Sequence, residues 1–444
     1  MKLQPTEKII TDNLMTRDQI LSYLKDDFCV DLEKIKEIIL LDQISPELNL
    51  LVKKIPHHRY NIFFAENSGK LYLQATEGKL RTKHLEFESK IMSSLVGHSI
   101  KFTNTTAAYE NLVSAWTIRM KQALSDRKID GVLIGSMWNF NFYIKFLTNN
   151  KFADKFTEQV DQLILKKYVD HQLALYVIED EYINGRLRLT EHEKNIFQEG
   201  HLPDPKAIKI TQELTKRIPT FDDKVQILYS KSDLISYIKT DYLFFFDLNN
   251  GTSLFKETLV SDVAEIIDDY FLSYQLITIK GATYINFSWA NADVLNAVLK
   301  ELGRTFNLKS FYMYGKCGSL TANPKIGDLV VPVRSYNNET FIDIHNEVEQ
   351  LHYGVKKVNF MYVDSPLVET KTWANESLKL GCDCVDMELD PSVRALSKNT
   401  VKKIIYYISD QPMLGLTLSD RISLLKQRLD CSKIIIEDIL KREG

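Results

Sequence analysis

Toward the end of the chain the segment Asp383-Cys384-Val385-Asp386-Met387-Glu388 is followed by the apolar run Ile404-Ile405-Tyr406-Tyr407-Ile408, which ends in Ser409-Asp410. Glu388 and Asp410 each close a strand-like run, and two acids so placed are the smallest kit for breaking a ribose–base bond. Such a bond breaks as the sugar becomes cation-like and electrons flow into the leaving base. The protein must therefore hold the ribose hydroxyls and protonate the base. A carboxylate at Glu388 would accept hydrogen bonds from the 2′- and 3′-hydroxyls and set negative charge beside the developing cation. A second carboxyl at Asp410, partly desolvated so that it holds its proton, would donate to purine N7. The plain alternative is that each acid only caps the helix that follows it.

The stretch Tyr312-Met313-Tyr314-Gly315-Lys316-Cys317-Gly318-Ser319-Leu320 reads as a strand running into a glycine-flanked turn, and Ile326-Gly327-Asp328-Leu329-Val330-Val331-Pro332 as the strand after it. Gly315 and Gly318 would let backbone approach a bound molecule closely, which makes the segment a candidate ligand shelf. Taken alone, a tight turn without a ligand explains it equally well. The Cys382-x-Cys384 pair lacks a second pair or histidines at ligand spacing, so no metal is assigned. No cofactor is called for.

Composition narrows the partner. With 444 residues, 44% hydrophobic and 26% charged, the chain has the makeup of a globular protein of two or three domains. A formal charge of −3 gives no general attraction to nucleic acid or anionic lipid, and no apolar stretch is long enough to span a bilayer. A small molecule is the expected partner. Five cysteines (Cys29, Cys317, Cys382, Cys384 and Cys431) and a start, Met1-Lys2-Leu3-Gln4-Pro5, without an apolar secretory core predict a cytoplasmic protein with reduced thiols.

The elements that must position these residues fall into two rhythms. Residues 16–27, 31–42 and 46–55 predict amphipathic helices, the first N-capped by Thr16. A hairpin is predicted over 59–66 and 70–75 around Asn67-Ser68-Gly69. Helices over 107–125 and 152–168 and strands over 131–135 and 173–178 follow. Thr190 with Glu193 spells a capping box for 191–198, ahead of a helix over 205–217. Pro203, Pro205, Pro219 and Gly200 punctuate 199–222 and place a domain boundary there, giving domains 1–220 and 221–444. Beyond it, β-rich runs at 225–229, 242–247, 276–280, 283–287, 310–314, 328–333, 357–363 and 403–409 alternate with helical patterns at 234–239, 260–271, 290–305 and 391–398. The predicted fold class is α/β, a three-layer C-terminal domain behind a mixed α+β N-terminal domain.

The ordered set Gly315-Lys316-Cys317-Gly318-Ser319-Leu320, Ile326 to Pro332, Val385-Asp386-Met387-Glu388 and Ile408-Ser409-Asp410-Gln411-Pro412 resembles the nucleoside phosphorylase and nucleosidase superfamily across residues 224–440. Within it the likeness is closest to the AMP nucleosidases, two-domain enzymes of similar length. Phosphorylases of the hexameric bacterial kind carry an Arg and a Ser that bind phosphate where this chain has Met313 and Lys316. AMP nucleosidases resemble this chain in having an apolar and a basic residue there, which implies water as the nucleophile. Where the family has a Gly-x-Gly turn, the chain reads Asn286-Phe287-Ser288-Trp289-Ala290-Asn291, and bulk at that turn blocks close backbone approach.

The resemblance implies hydrolysis of the N-glycosidic bond of a purine nucleotide, AMP to adenine and ribose 5-phosphate, or of a related purine nucleoside. Asp410 and Glu388 would be catalytic, and Met387, Lys316, Cys317, Gly318, Asn291 and Ser409 would bind substrate. Trp373, in the Val368-Glu369-Thr370-Lys371-Thr372-Trp373 loop, would stack on the base or anchor the loop to the core. Phosphorolysis, or a nucleotide-binding module without turnover, are the alternatives. The likeness also implies a homo-oligomer, dimer or hexamer, and a regulatory or phosphate-binding N-terminal domain. There Lys53-Lys54 with His57-His58-Arg59 is the densest basic cluster, and Glu179-Asp180-Glu181 reads as a loop charge run.

Overall fold

The structure, a computed structural model, describes residues 6–41, 53–55, 60–75, 82–105, 109–149, 151–197, 205–249, 259, 264–269, 271–287, 292–337, 340–346, 348, 354–416 and 424–442. The chain divides into two compact units, one of residues 1–134, 266–275 and 283–419, the other of residues 135–265, 276–282 and 420–444. The boundary expected between 220 and 221 thus falls inside the second unit. The reason lies in strand pairing, because a sheet selects its neighbours by open edges rather than by order along the chain.

Two sheets build the first unit. The smaller has the order Lys53–Ile55, Tyr60–Ala65, Lys70–Ala75, Glu37–Leu41, Lys101–Asn104. Its hairpin is antiparallel, and Glu37–Leu41 lies parallel to both of its neighbours. The turn closes through Gly69 at φ 68, a left-handed conformation that glycine adopts without strain. The helices Arg17–Phe28 and Thr82–Val96 belong to this unit, and the first starts at the predicted Thr16 cap, with Gln19 completing a capping box.

The larger sheet of this unit runs Phe341–Asp343, Leu329–Tyr336, Lys356–Tyr362, Cys384–Asp386, Ser310–Ser319, Gly131–Ile134, Ala282–Phe287. Val401–Asp410 pairs on one side, in parallel, with Ser310–Ser319 and on the other, antiparallel, with Leu329–Tyr336. Five strands consequently close into a ring, 329–336 to 356–362 to 384–386 to 310–319 to 401–410 and back. Both Ser310–Ser319 and Val401–Asp410 are buried over nearly their whole length, which is why they read as continuous apolar runs.

The described part of the second unit is mainly helical. Residues 173–178, expected as a strand, belong to the helix Gln162–Ile183, which Asp161 caps by accepting from the N–H groups of Leu163 and Ile164. Residues 225–229 and 242–247 lie in the helices Phe221–Tyr229 and Ser232–Asn249. The converse error occurs in the first unit, where residues 31–42 give a short turn and the strand Glu37–Leu41 instead of a helix, and in the strand Ala264–Ile267 within the helix expected over 260–271. Residues 173–178, 225–229 and 242–247 are short, largely apolar runs, which periodicity cannot assign between a buried strand and a buried helix. The Thr190–Glu193 capping box forms as expected. Glu179-Asp180-Glu181 lies in a helix rather than a loop, with Glu181 held by Arg186 at 2.7 Å and Lys224 at 2.6 Å. Among the described residues no helix is long and apolar enough to cross a membrane.

Candidate active site

The C-terminal end of the strand Ser310–Ser319 carries two of its three neighbours to one place. Val401–Asp410 runs parallel to it in step from Ser310↔Val401 to Cys317↔Ile408, and then an irregularity brings Asp410 opposite Gly318. On the other side Cys384–Asp386 runs antiparallel, with Val385 opposite Gly318. A Cβ at Gly318 would lie 2.9 Å from Val385 Cγ1 and 3.1 Å from Asp410 Oδ2. The glycine is therefore the space through which the two acidic strand ends approach each other.

Asp386 organises one side. Buried at 7% exposure, its Oδ2 accepts from the N–H groups of Glu388 at 2.9 Å and Leu389 at 2.7 Å and from the Tyr406 hydroxyl at 2.8 Å. The helix Leu389–Ala395 is thus capped by Asp386, while Glu388, at its N-terminal junction, makes no capping hydrogen bond with its side chain. Burial pushes the pKa of Asp386 up; the bonds it accepts oppose that shift without cancelling it. Burial, with the charges of Asp386 and Glu388, pushes the Tyr406 phenol well above its usual range, so it stays a proton donor.

Gly315 serves this side rather than a ligand. A Cβ there would stand 2.6 Å from Cε1 of Tyr406, so the missing side chain makes room for the tyrosine ring. The expectation that both shelf glycines admit a bound molecule is corrected at this position, because the ring already fills the space.

Asp410 forms the other side. It is 6% exposed, and the Ser409 hydroxyl donates to its Oδ1 at 2.5 Å while lying 3.3 Å from the Cys317 carbonyl. The following turn Pro412–Leu414 has no side-chain cap, so the plain capping role is not filled by Asp410. Gln411 pins the neighbouring loop, donating to the carbonyls of Thr321 at 2.9 Å and Pro324 at 3.1 Å. Glu369 stands near Asp410. It is half-buried, and burial together with the Asp410 charge pushes its pKa well above the carboxylate range.

The remaining expected residues separate. Cys317 is 3% exposed, and its thiol donates toward the Tyr407 carbonyl at 3.8 Å. Burial, a hydrogen bond with Cys384 and the charges of Asp386 and Asp410 push that thiol well above its ordinary range, which makes it an inert neutral group. Lys316 is exposed and shares the Gly318 side of the pleated strand. Met387 packs against an apolar cluster of Leu320, Met361, Val363, Trp373 and Val385. Trp373 is 2% exposed inside this cluster, and its N–H donates to Thr370 as a helix cap. A ring so enclosed has no open face for a base; of its two expected roles, the structure gives the loop anchor. Asn291, with Ser288, Trp289 and Ala290, lies outside the described residues, as do His57, His58 and Arg59.

Three residues escaped the sequence reading: Asp386 as organiser, Tyr406 and Glu369. Asp386 had a readable signal, an aspartate ahead of a helix start. The other two had none, since Tyr406 sits in an apolar run and Glu369 in an ordinary loop.

No family model matches the chain, and no curated protein matches it. Among solved structures it is similar to a nucleosidase (MTAN) of Helicobacter pylori at 15% identity, covering 40% of this chain and 90% of that one with a TM-score of 0.34. It is similar also to a futalosine hydrolase of the same organism, at 15% identity with 40% and 89% covered and a TM-score of 0.35. A third likeness is to isoform 2 of purine nucleoside phosphorylase from Schistosoma mansoni, at 14% identity with 42% and 86% covered and a TM-score of 0.36. Likenesses this distant leave the chemistry of the chain to its own residues.

Proposed function

We propose that the protein hydrolyses the N-glycosidic bond of a purine nucleotide, AMP first, or of a related purine nucleoside. The observation that carries the reading is the approach of two acidic strand ends at Gly318, where Asp410 Oδ2 stands 3.1 Å from the position of the absent Cβ and Val385, next to Asp386, stands on the other side. In this reading the Ser409 hydroxyl engages Oδ1 of Asp410 and leaves Oδ2 to carry the proton toward purine N7. Glu388, oriented through the backbone N–H that Asp386 holds, accepts from the ribose hydroxyls. Water attacks the sugar carbon as the base departs. The exposed cation of Lys316 lies on the same side and suits the phosphate of a nucleotide.

The test is to incubate the full chain with a panel of purine nucleosides and nucleotides, with and without inorganic phosphate, and to separate free base from intact substrate. Release of adenine and ribose 5-phosphate from AMP, independent of phosphate, is the expected outcome. Ribose 1-phosphate formation would replace hydrolysis by phosphorolysis. Binding by calorimetry with no base released from any substrate would leave a nucleotide-binding module, the reading motivated by the bulky sequence Asn286-Phe287-Ser288-Trp289.

A further inference from the structure

Away from the acidic strand ends, the helices Arg17–Phe28 and Thr82–Val96 face each other through two pairs, Tyr23 with Asp27 and His84 with Glu88. Residues four apart share one helix face, so each pair points the same way. Asp27 is 7%, His84 3% and Glu88 0% exposed, and one ligand-type atom from each lies within 4.8 Å of the others.

The imidazole is oriented from outside the cluster. His84 Nδ1 lies 3.3 Å from the backbone carbonyl of Asp364, and a carbonyl only accepts, so Nδ1 carries the hydrogen. Nε2 then turns its lone pair inward, 2.5 Å from Glu88 Oε1 and 3.3 Å from the Tyr23 hydroxyl. At this separation the two atoms hold a proton between them, and to ligate one zinc ion at its usual bond lengths they would part to about 3.3 Å, a small rotamer shift.

We infer that Asp27, His84 and Glu88 form a binding site for a divalent metal ion of the zinc class. One imidazole nitrogen with two carboxylate oxygens is a donor set such ions take. The carbonyl on the far ring nitrogen is the outer-shell partner that metal-ligating histidines usually have. Three ligands leave a fourth position for water or the Tyr23 hydroxyl. The ion would tie the two helices together, a structural rather than a catalytic task. Asp27 and His84 stand far apart in the chain, which hid the site from spacing rules.

The experiment uses the full chain, dialysed against a chelator and titrated with zinc chloride by calorimetry and with cobalt chloride by visible absorption. One equivalent of zinc is expected, with cobalt giving ligand-field bands but no near-ultraviolet thiolate band. Asp27→Asn and Glu88→Gln, nearly isosteric and checked for folding by circular dichroism, are expected to bind zinc at least about tenfold more weakly. Absence of saturable zinc binding, or undiminished binding in both folded variants, overturns the site and leaves a proton shared by His84 and Glu88. Should neither variant fold, the unaltered chain decides: no cobalt bands, or bands dominated by thiolate, overturns it.

Discussion

The Tyr406 hydroxyl crosses the central strand of the sheet and donates to Asp386 Oδ2 at 2.8 Å, through the space left by Gly315. The phenol comes from Val401–Asp410 and the carboxyl from Cys384–Asp386, so one hydrogen bond ties together two of the three strands paired with Ser310–Ser319. Tyr406→Phe removes the donor and leaves a buried carboxyl one bond short. It is expected to cost about 1–3 kcal/mol, read as a lower denaturant midpoint. If Asp386 positions Glu388, base release falls as well; an unchanged rate would separate Tyr406 from the site. Gly315→Ala drives a methyl into the tyrosine ring and is expected to destabilise by about 1–3 kcal/mol.

Asp410→Asn keeps the shape of the side chain and removes the transferable proton. Turnover is expected to fall by about 10²–10⁴-fold while nucleotide binding and circular dichroism stay unchanged. Full adenine release by this variant would take Asp410 out of the mechanism.

Glu369 predicts a pH dependence. Its folded pKa lies above the ordinary 4.5, so the native state binds more protons than the unfolded chain once the pH passes that value. The penalty of ionising it is absent below the ordinary pKa and grows from there toward the raised one, so stability drains as pH rises through this window. Glu369→Gln should match the parent at acid pH and exceed it at neutral pH, as measured by thermal unfolding across a pH series. Parallel curves at every pH would refute the shift.

Trp373 offers a discrimination between anchor and stacking platform. Trp373→Ala empties a closed apolar cluster and is expected to cost about 3–5 kcal/mol, whereas Trp373→Phe keeps most of the fill. A purine affinity unchanged in the phenylalanine variant agrees with the anchor. A tenfold loss of affinity at full stability would argue for a direct contact with the base.

Glu388 and Asp410 drew notice in the sequence because each follows an apolar run, where an ionisable group is conspicuous; in the fold Asp410 ends its strand, while Glu388 lies beyond Cys384–Asp386 at a helix start. The capping alternative could be weighed against them only once Asp386 was seen to hold the helix start. Tyr406 and Glu369 were not legible, since the contact of the first runs across strands and the burial of the second comes from tertiary packing. The same limit produced the strand and helix exchanges: residues 173–178 are apolar enough for either, and the Asp161 cap that settles them lies a dozen residues earlier. Gly131–Ile134 was readable as a strand, but its partners 310–313 and 284–287 were not, because parallel pairing leaves no local mark.

That strand governs how the molecule can be cut. Gly131–Ile134 sits between Ser310–Ser319 and Ala282–Phe287, so a fragment beginning at residue 221 would be missing an interior rung, with two raw edges and their unmet amides facing water. Such edges recruit foreign strands, and expression of the later half alone should give aggregates where the whole chain stays dispersed.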